Sequence, residues 1–387
     1  VSIANPLIAH DLDLSSGEIG LLLSAFAWSY GLAQLPGGLL VDRFGARRIL
    51  GVGLVVWSLA QMSSAFVATL NQFLAARAAL GLGEAPMYTG GTRVCSDWYP
   101  ERQRTLPVAI FNASSSLGPA IAPALLTALM AAFGWRWMFG AIGVAGIAVA
   151  MAWVALYRSP EAVDLSAHEQ TAIGLGPAVS TSAPALRNVG KLLRQRTTWA
   201  MSAGFVGVIY MTWLYATWLP GYLEGQRHVS VTAAGFLTSI PLAAGFFGAL
   251  SGGFVCNVLR HRGLDVRNAC REPVVWAMAG TAVFTVAAAL APSTWAALAL
   301  LSGGVFLANL ASSCGWALGA VMAPPAEVGT LEAIQNIGGS VGGALAPVVT
   351  GFAVEVTGSF VPAFYLAAAV AAVSAVIYWV LGRMSPG

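Results

Sequence analysis

The stretch FLAARAALGLGEAPMYTGG, residues 73–91, carries two full charges, Arg77 and Glu84, among small and apolar residues. Seven positions apart, they fall on nearly the same face of a helix, separated by about 10 Å along its axis. Intrahelical partners sit three or four residues apart, so the spacing argues against a simple pair. What two charges do on an oily helix depends on the medium around it.

That medium is a membrane. Of 387 residues, 57% are hydrophobic and only 9% are charged, against about 25% charged in an ordinary soluble domain. A soluble fold of this size would lack polar cover. The 44 glycines and 13 tryptophans fit a bilayer protein, since glycine is common in membrane helices and tryptophan collects at interfaces. Cys95, Cys256, Cys270 and Cys314 are scattered without a CxxC pair, which implies neither a metal site nor a disulfide framework. The net charge of +3 is small, and the bases do not form the clustered footprint of a nucleic-acid binder.

Apolar spans lie near residues 19–41, 50–68, 71–92, 106–132, 137–157, 198–222, 232–256, 272–291, 295–321, 329–353 and 361–382. Residues 1–9 are apolar but short of the roughly 20 that cross a bilayer, and read as the end of an incomplete first helix. The expectation is an all-α membrane protein with twelve transmembrane helices in two pseudo-symmetric six-helix bundles. Residues 1–157 form the N-terminal bundle, 158–196 a polar cytoplasmic loop, and 197–387 the C-terminal bundle. Threaded alternately, Arg43, Arg47, Arg48, Arg93, Arg158, Arg260, Arg262 and most other bases share one side, while the other holds Arg136 and Arg227. The positive-inside bias puts that first side, and both termini, in the cytoplasm.

The halves echo each other. NASSSLGPAIAP (112–123) and NIGGSVGGALAP (336–347) agree at Asn, Ser, Gly, Ala, Ala and Pro. GWRWMF at 134 meets GSFVPA at 358 at the same offset, and GGLLVDRFGARR (37–48) weakly matches GGFVCNVLRHRG (252–263). Internal repeats in six-helix halves are a transporter architecture, with the substrate site near midplane.

Ionisable residues inside a membrane are expensive, and they usually line a pathway. A local ion-pair network that fixes helix packing is the alternative for Arg77 and Glu84. An arginine offers a planar fork of donors matched to a carboxylate. A glutamate in a low-dielectric site can take up and release a proton under ordinary conditions. Arg77 is therefore expected to bind an anion and Glu84 to carry the coupling proton, each favouring the other's binding reciprocally. Tyr30, Asn112 and Asn336 lead the polar residues that could recognise hydroxyls, followed by Tyr210, Ser340, Ser115, Ser116, Thr212, Asn309 and Ser313. Any of these also serves as an ordinary helix contact. Asp42, Arg43, Arg47 and Arg48, beside Gly37 and Gly38 at the cytoplasmic edge, suit an acid–base lock that holds one gate state. A topology-setting charge cluster is compatible with that role. No metal cluster, nucleotide loop or nucleophile constellation supports an enzyme, and His10, His168, His228 and His261 lie at or outside span ends.

Gly38, Leu40, Asp42, Arg43, Gly45, Arg47 and Arg48 resemble the signature loop of the major facilitator superfamily. RAALGLGEAPMYTGGTRVCSDWYPERQR (77–104), GWRWMF (134–139), TWLPGYL (217–223) and NIGGSVGGALAPVVTGF (336–352) resemble its anion:cation symporter family. That family includes bacterial proton symporters for sugar acids such as hexuronates, glucarate and galactonate, and carriers of tartrate and aromatic acids. Animal relatives carry sialic acid or vesicular glutamate. The resemblance implies a multi-pass protein of the bacterial cytoplasmic membrane, working without a cofactor as a monomer. It would carry a sugar acid such as a hexonate, hexuronate or aldarate with H+, by alternating access. Transport of an aromatic or other small carboxylate, by symport, exchange or efflux, is the alternative. By the same resemblance Arg77 matches the substrate-carboxylate arginine, Glu84 the proton-linked glutamate, Tyr30 the substrate-facing aromatic, and Asn336 the asparagine of the eleventh-helix motif. The chain departs from the family at Cys256-Asn257, where Ser-Asp is usual, and at Ser340, where asparagine is common.

Overall fold

A computed structural model of the chain describes residues 2–99, 105–166, 192–322 and 328–381. Among these the regular elements are helices. They are α1 (Asn5–Leu12), α2 (Ser16–Phe44), α3 (Ala46–Ser63), α4 (Leu70–Glu84), α5 (Pro86–Trp98) and α6 (Thr105–Leu156). After the central segment come α7 (Arg196–Gly225), α8 (Val231–His261), α9 (Val266–Ala289), α10 (Thr294–Met322), α11 (Val328–Thr357) and α12 (Val361–Leu381). Among the described residues, 7 helices are long and apolar enough to cross a membrane. Large apolar side chains such as Leu32, Phe66, Trp137, Trp276 and Trp295 are exposed. In water such a surface would invite aggregation, and against lipid tails it is matched.

Three spans differ in detail from the sequence reading. The span at 71–92 is broken at Ala85, between α4 and α5. Pro86 has no N–H to continue the ladder, although Ala85 keeps right-handed helical angles (φ −51, ψ −41). The spans at 106–132 and 137–157 join in one long helix whose non-helical residue is Gly134, at φ 80 and ψ 165. Only glycine takes such a positive φ readily, so one residue makes the break for which a short loop was expected.

The chain forms two compact units. The first comprises Val1–Ser24, Pro119–Ala128 and Ala183–Gly387. Within it α8 packs on α10, α9 on α10 and α12, and α7 on α11 and α12. Lipid supplies no hydrophobic drive between helices, so close backbone approach and hydrogen bonds must hold them. Glycines provide the approach: a Cβ added to Gly338 would lie 2.5 Å from the Ser202 carbonyl oxygen, and one on Gly342 would collide with that of Val206. Hydroxyls provide the bonds, as between Tyr215 and Thr285, 2.6 Å apart. The start of α2 belongs to this unit and lies on α11, where a Cβ on Gly20 would stand 2.6 Å from the Pro347 carbonyl oxygen. There Glu355 accepts hydrogen bonds from the Gly17 N–H at 2.8 Å and the Ser15 hydroxyl at 3.3 Å. A carboxylate at a helix N-terminus satisfies donors that the helix itself leaves unpaired.

The second unit comprises Ala25–Gly118 and Leu129–Ser182. In it α3 packs on α4 and α5. Val41, Ala46 and Leu50 form a buried cluster, with Ile49, Met87, Val94 and Trp153 against it. Phe73, Trp135 and Phe139 form a second, aromatic cluster, and the Arg136 guanidinium lies 4.1 Å from the Trp135 ring centroid.

Candidate functional site

The site is assembled on α4 by the glycines that separate its two charges. A Cβ on Gly81 would lie 2.7 Å from the Phe26 carbonyl oxygen and 2.9 Å from the Tyr30 nitrogen of α2. On Gly83 it would lie 2.7 Å from the Trp57 nitrogen of α3. No other residue permits both approaches, which draw α2 and α3 onto the stretch between Arg77 and Glu84.

The approach of α2 brings Phe26 and Tyr30 to the charges. The Arg77 guanidinium carbon lies 5.2 Å from the Phe26 ring centroid, and that ring stacks on Tyr30 with centroids 5.5 Å apart. The cation is thus held on an aromatic face, which attracts it through the ring quadrupole. Arg77 Nε is buried and has no hydrogen-bond partner among the described residues. Arg77 and Glu84 feel each other's charge, but among the described residues no ion pair within 4.0 Å joins them. The packing alternative weighed above therefore lacks its direct contact. Glu84 is half-buried at the last residue of α4, immediately before the break at Ala85.

Tyr30 hydrogen-bonds the Gln34 side chain, and Glu84 and Tyr88 lie near its hydroxyl. Tyr88 in turn packs on Phe111, with centroids 5.7 Å apart. Phe26, Gln34 and Tyr88 were not singled out from sequence. All three stand one helical turn from a residue that was, and that spacing was the available signal. The set comprises a planar cation with an unused donor, an acid without direct ion pairing, and phenols. Together these can grip a carboxylate and hydrogen-bond nearby hydroxyls.

Tyr210, Asn336 and Ser340 belong to the other unit. Tyr210 is 4% exposed on α7, and its hydroxyl approaches that of Thr350 without closing a hydrogen bond. Asn336 and Ser340 stand one turn apart on α11, both half-buried, on a different face from the Gly338 and Gly342 seam. The side chains of Asn112 and Asp42 lie outside the described residues. Arg47 donates to the Val154 carbonyl at 2.8 Å, tying α3 to the last turn of α6. Arg43 stands 5.3 Å from the Phe44 ring centroid, and both Arg43 and Arg48 are exposed. Among the described residues no group of three or more His, Cys, Asp or Glu is placed to hold a metal.

A sequence model described as the Major Facilitator Superfamily matches residues 1–318. The chain is 37% identical over 384 residues to the "Probable L-galactonate transporter" of Escherichia coli (strain K12), covering 99% of this chain and 85% of that protein. It is 30% identical to the "Probable galactarate/D-glucarate transporter GarP" of the same strain, covering 93% and 85%. It is also 30% identical to the "Probable sulfoacetate transporter SauU" of Cupriavidus necator, covering 97% and 87%. Among solved structures, a bacterial homologue of the human lysosomal transporter Spinster, in an inward-facing and occupied conformation, superimposes with TM-score 0.81 at 18% identity. That match covers 100% of this chain and 94% of the other.

Proposed function

This chain belongs to the Major Facilitator Superfamily, and from that premise we propose that it is a proton-coupled symporter of a small organic anion. The substrate is a sugar acid, as the names of its L-galactonate and galactarate/D-glucarate relatives suggest. The observation that carries the reading is the unpaired Arg77 Nε, buried beside Phe26 and within the field of Glu84. A buried donor without a partner is costly, and a substrate carboxylate would supply the acceptor.

In this reading Arg77 holds the carboxylate, while Tyr30, Asn112, Asn336, Tyr210 and Ser340 take the hydroxyls. Glu84 carries the proton, and Asp42, Arg43, Arg47 and Arg48 gate the cytoplasmic side. The chain is a carrier, as its relatives are, and not an enzyme. It works as a monomer in the bacterial inner membrane, without a cofactor, and H+ is the coupling ion. The finer architecture is twelve helices in two six-helix bundles, 1–157 and 197–387, joined by 158–196, with both termini cytoplasmic. A sulfoacetate relative favours a second reading, in which another small anion occupies the same arginine.

Purified protein in liposomes, given an inward proton gradient and L-galactonate, D-glucarate, a hexuronate or sulfoacetate outside, tests the proposal. Accumulation of a sugar acid that stops when the gradient is collapsed, and that Arg77→Ala abolishes, is expected. Accumulation unaffected by either change would overturn it.

A further inference from the structure

Among the described residues no cation pairs with Glu332, an acid on α11. It is half-buried, and no hydrogen bond or ion pair reaches it among the described residues. One turn further along stands Gln335, which is 1% exposed. Its Nε2 donates to the Gly315 carbonyl of α10 at 3.0 Å, while its Oε1 is buried and receives no donor among the described residues.

Both side chains converge on one bare patch of α10. A Cβ on Gly319 would lie 2.9 Å from Gln335 Oε1 and 3.3 Å from Glu332 Cγ. Gly315 and Gly319 are one turn apart, so the α10 backbone there offers a floor without side chains. Among the described residues the Tyr378 hydroxyl is also buried without a partner and lies near Gly315, but the side chain that shares the Gly319 patch with Gln335 Oε1 is Glu332, whose carboxyl can become a donor. Ionised, that carboxyl has acceptors alone; protonated, it carries one O–H. The helices packed on this part of α11 are α7, α10 and α12, while the start of α2 lies against its far end near Pro347. Their titratable groups toward this end are Arg196, Cys314 and Tyr378, and none of them bonds Glu332. The unpaired acceptor and the unanswered acid thus complete each other in one protonation state only.

We propose that Glu332 is a second proton-binding residue, which in this conformation donates its carboxyl O–H to Gln335 Oε1. The inference rests on the reading of the chain as a proton-coupled carrier. The carboxylate takes one proton from water to become the neutral acid, and returns it when α11 leaves α10. Gln335 directly precedes Asn336, so the pair holds in register a residue proposed to meet substrate. Glu332 is therefore a positioning residue whose state depends on pH.

Infrared titration of the purified full chain reads the site without any substrate. A protonated-carboxyl band that is lost in Glu332→Gln, and that shifts in Gln335→Leu where the acceptor is gone, is expected. Spectra in which neither variant alters a carboxyl band would overturn the proposal. Liposome uptake of L-galactonate between pH 5 and 8 then tests the link to transport. One linked proton changes apparent affinity by about tenfold per pH unit over its titration range. Glu332→Gln should flatten the profile by that much while keeping counterflow, and the exchanged pair Glu332→Gln with Gln335→Glu should restore it. An unchanged profile, or loss of counterflow that the exchange does not rescue, would make Glu332 a packing residue. A band that behaves as expected in a protein lacking proton-driven uptake would sink the symport reading separately.

Discussion

At the scale of single residues, arginine at position 77 does work that lysine cannot. Its guanidinium carbon lies over the Phe26 ring, 5.2 Å from the centroid, and still has Nε to offer, whereas an ammonium is a point charge without a fork. Losing one charge-assisted hydrogen bond costs about 2 kcal/mol, so Arg77→Lys should weaken binding of a sugar acid roughly 30-fold. Calorimetry on purified protein checks this, and binding within a few-fold of wild type would refute a bidentate grip. Glu84 is expected to act on a different quantity. Glu84→Gln should abolish accumulation driven by a proton gradient but preserve counterflow exchange, which needs no net proton movement. Proton-driven accumulation at the wild-type level in that variant would remove Glu84 from the coupling step. Arg77 and Glu84 were legible because full charges are conspicuous in an apolar span. Phe26 and Tyr88 were not, because an aromatic residue in such a span is ordinary until its ring is seen against a cation or a phenol.

Helices meet here through glycine, and the sign of a substitution depends on what stands opposite. Gly81 of α4 faces the α2 backbone at Phe26 and Tyr30, while a Cβ on Gly253 of α8 would meet nothing within 4 Å. Gly81→Val should therefore destabilise by about 1–3 kcal/mol through overpacking, and pull Phe26 and Tyr30 away from Arg77. Gly253→Ala should stabilise by up to about 1 kcal/mol from helix propensity alone. Melting temperatures in detergent, measured with sugar-acid binding, separate the two. Equal effects would show that the α2–α4 approach is not tight. The helices long and apolar enough to cross a membrane, 7 among the described residues, were readable from hydropathy because a bilayer demands long apolar runs. Interruptions of apolar runs were harder: Pro86 is of a type that membrane helices tolerate, and Gly134 is one glycine among 44. What marks them is backbone geometry, a missing N–H at one and a positive φ at the other, and composition does not report either.

For the molecule as a whole, the distribution of bases decides which way it sits. Arg43 in the last turn of α2 with Arg47 and Arg48 in the first turn of α3, and Arg260 in the last turn of α8 with Arg262 just after it, stand at corresponding places in the sequence echo. Carrying such charges through hydrocarbon is opposed by a few kcal/mol each, so clusters remain where synthesis leaves them. The acids Asp11, Asp13, Glu224 and Glu355 fall at the opposite helix ends. A single inverted hairpin would bury several charges at once, so one orientation is expected of the whole chain. The native cysteines are free and buried, which leaves an introduced thiol as the dominant target for a membrane-impermeant maleimide. Ser359→Cys, between α11 and α12, should react in intact cells, and Val163→Cys, after α6, only once the membrane is permeabilised. The reverse pattern would invert the topology and move the Arg43, Arg47 and Arg48 cluster to the outer face. With it would go the cytoplasmic gate assigned to that cluster, because an acid–base lock controls only the side on which it lies.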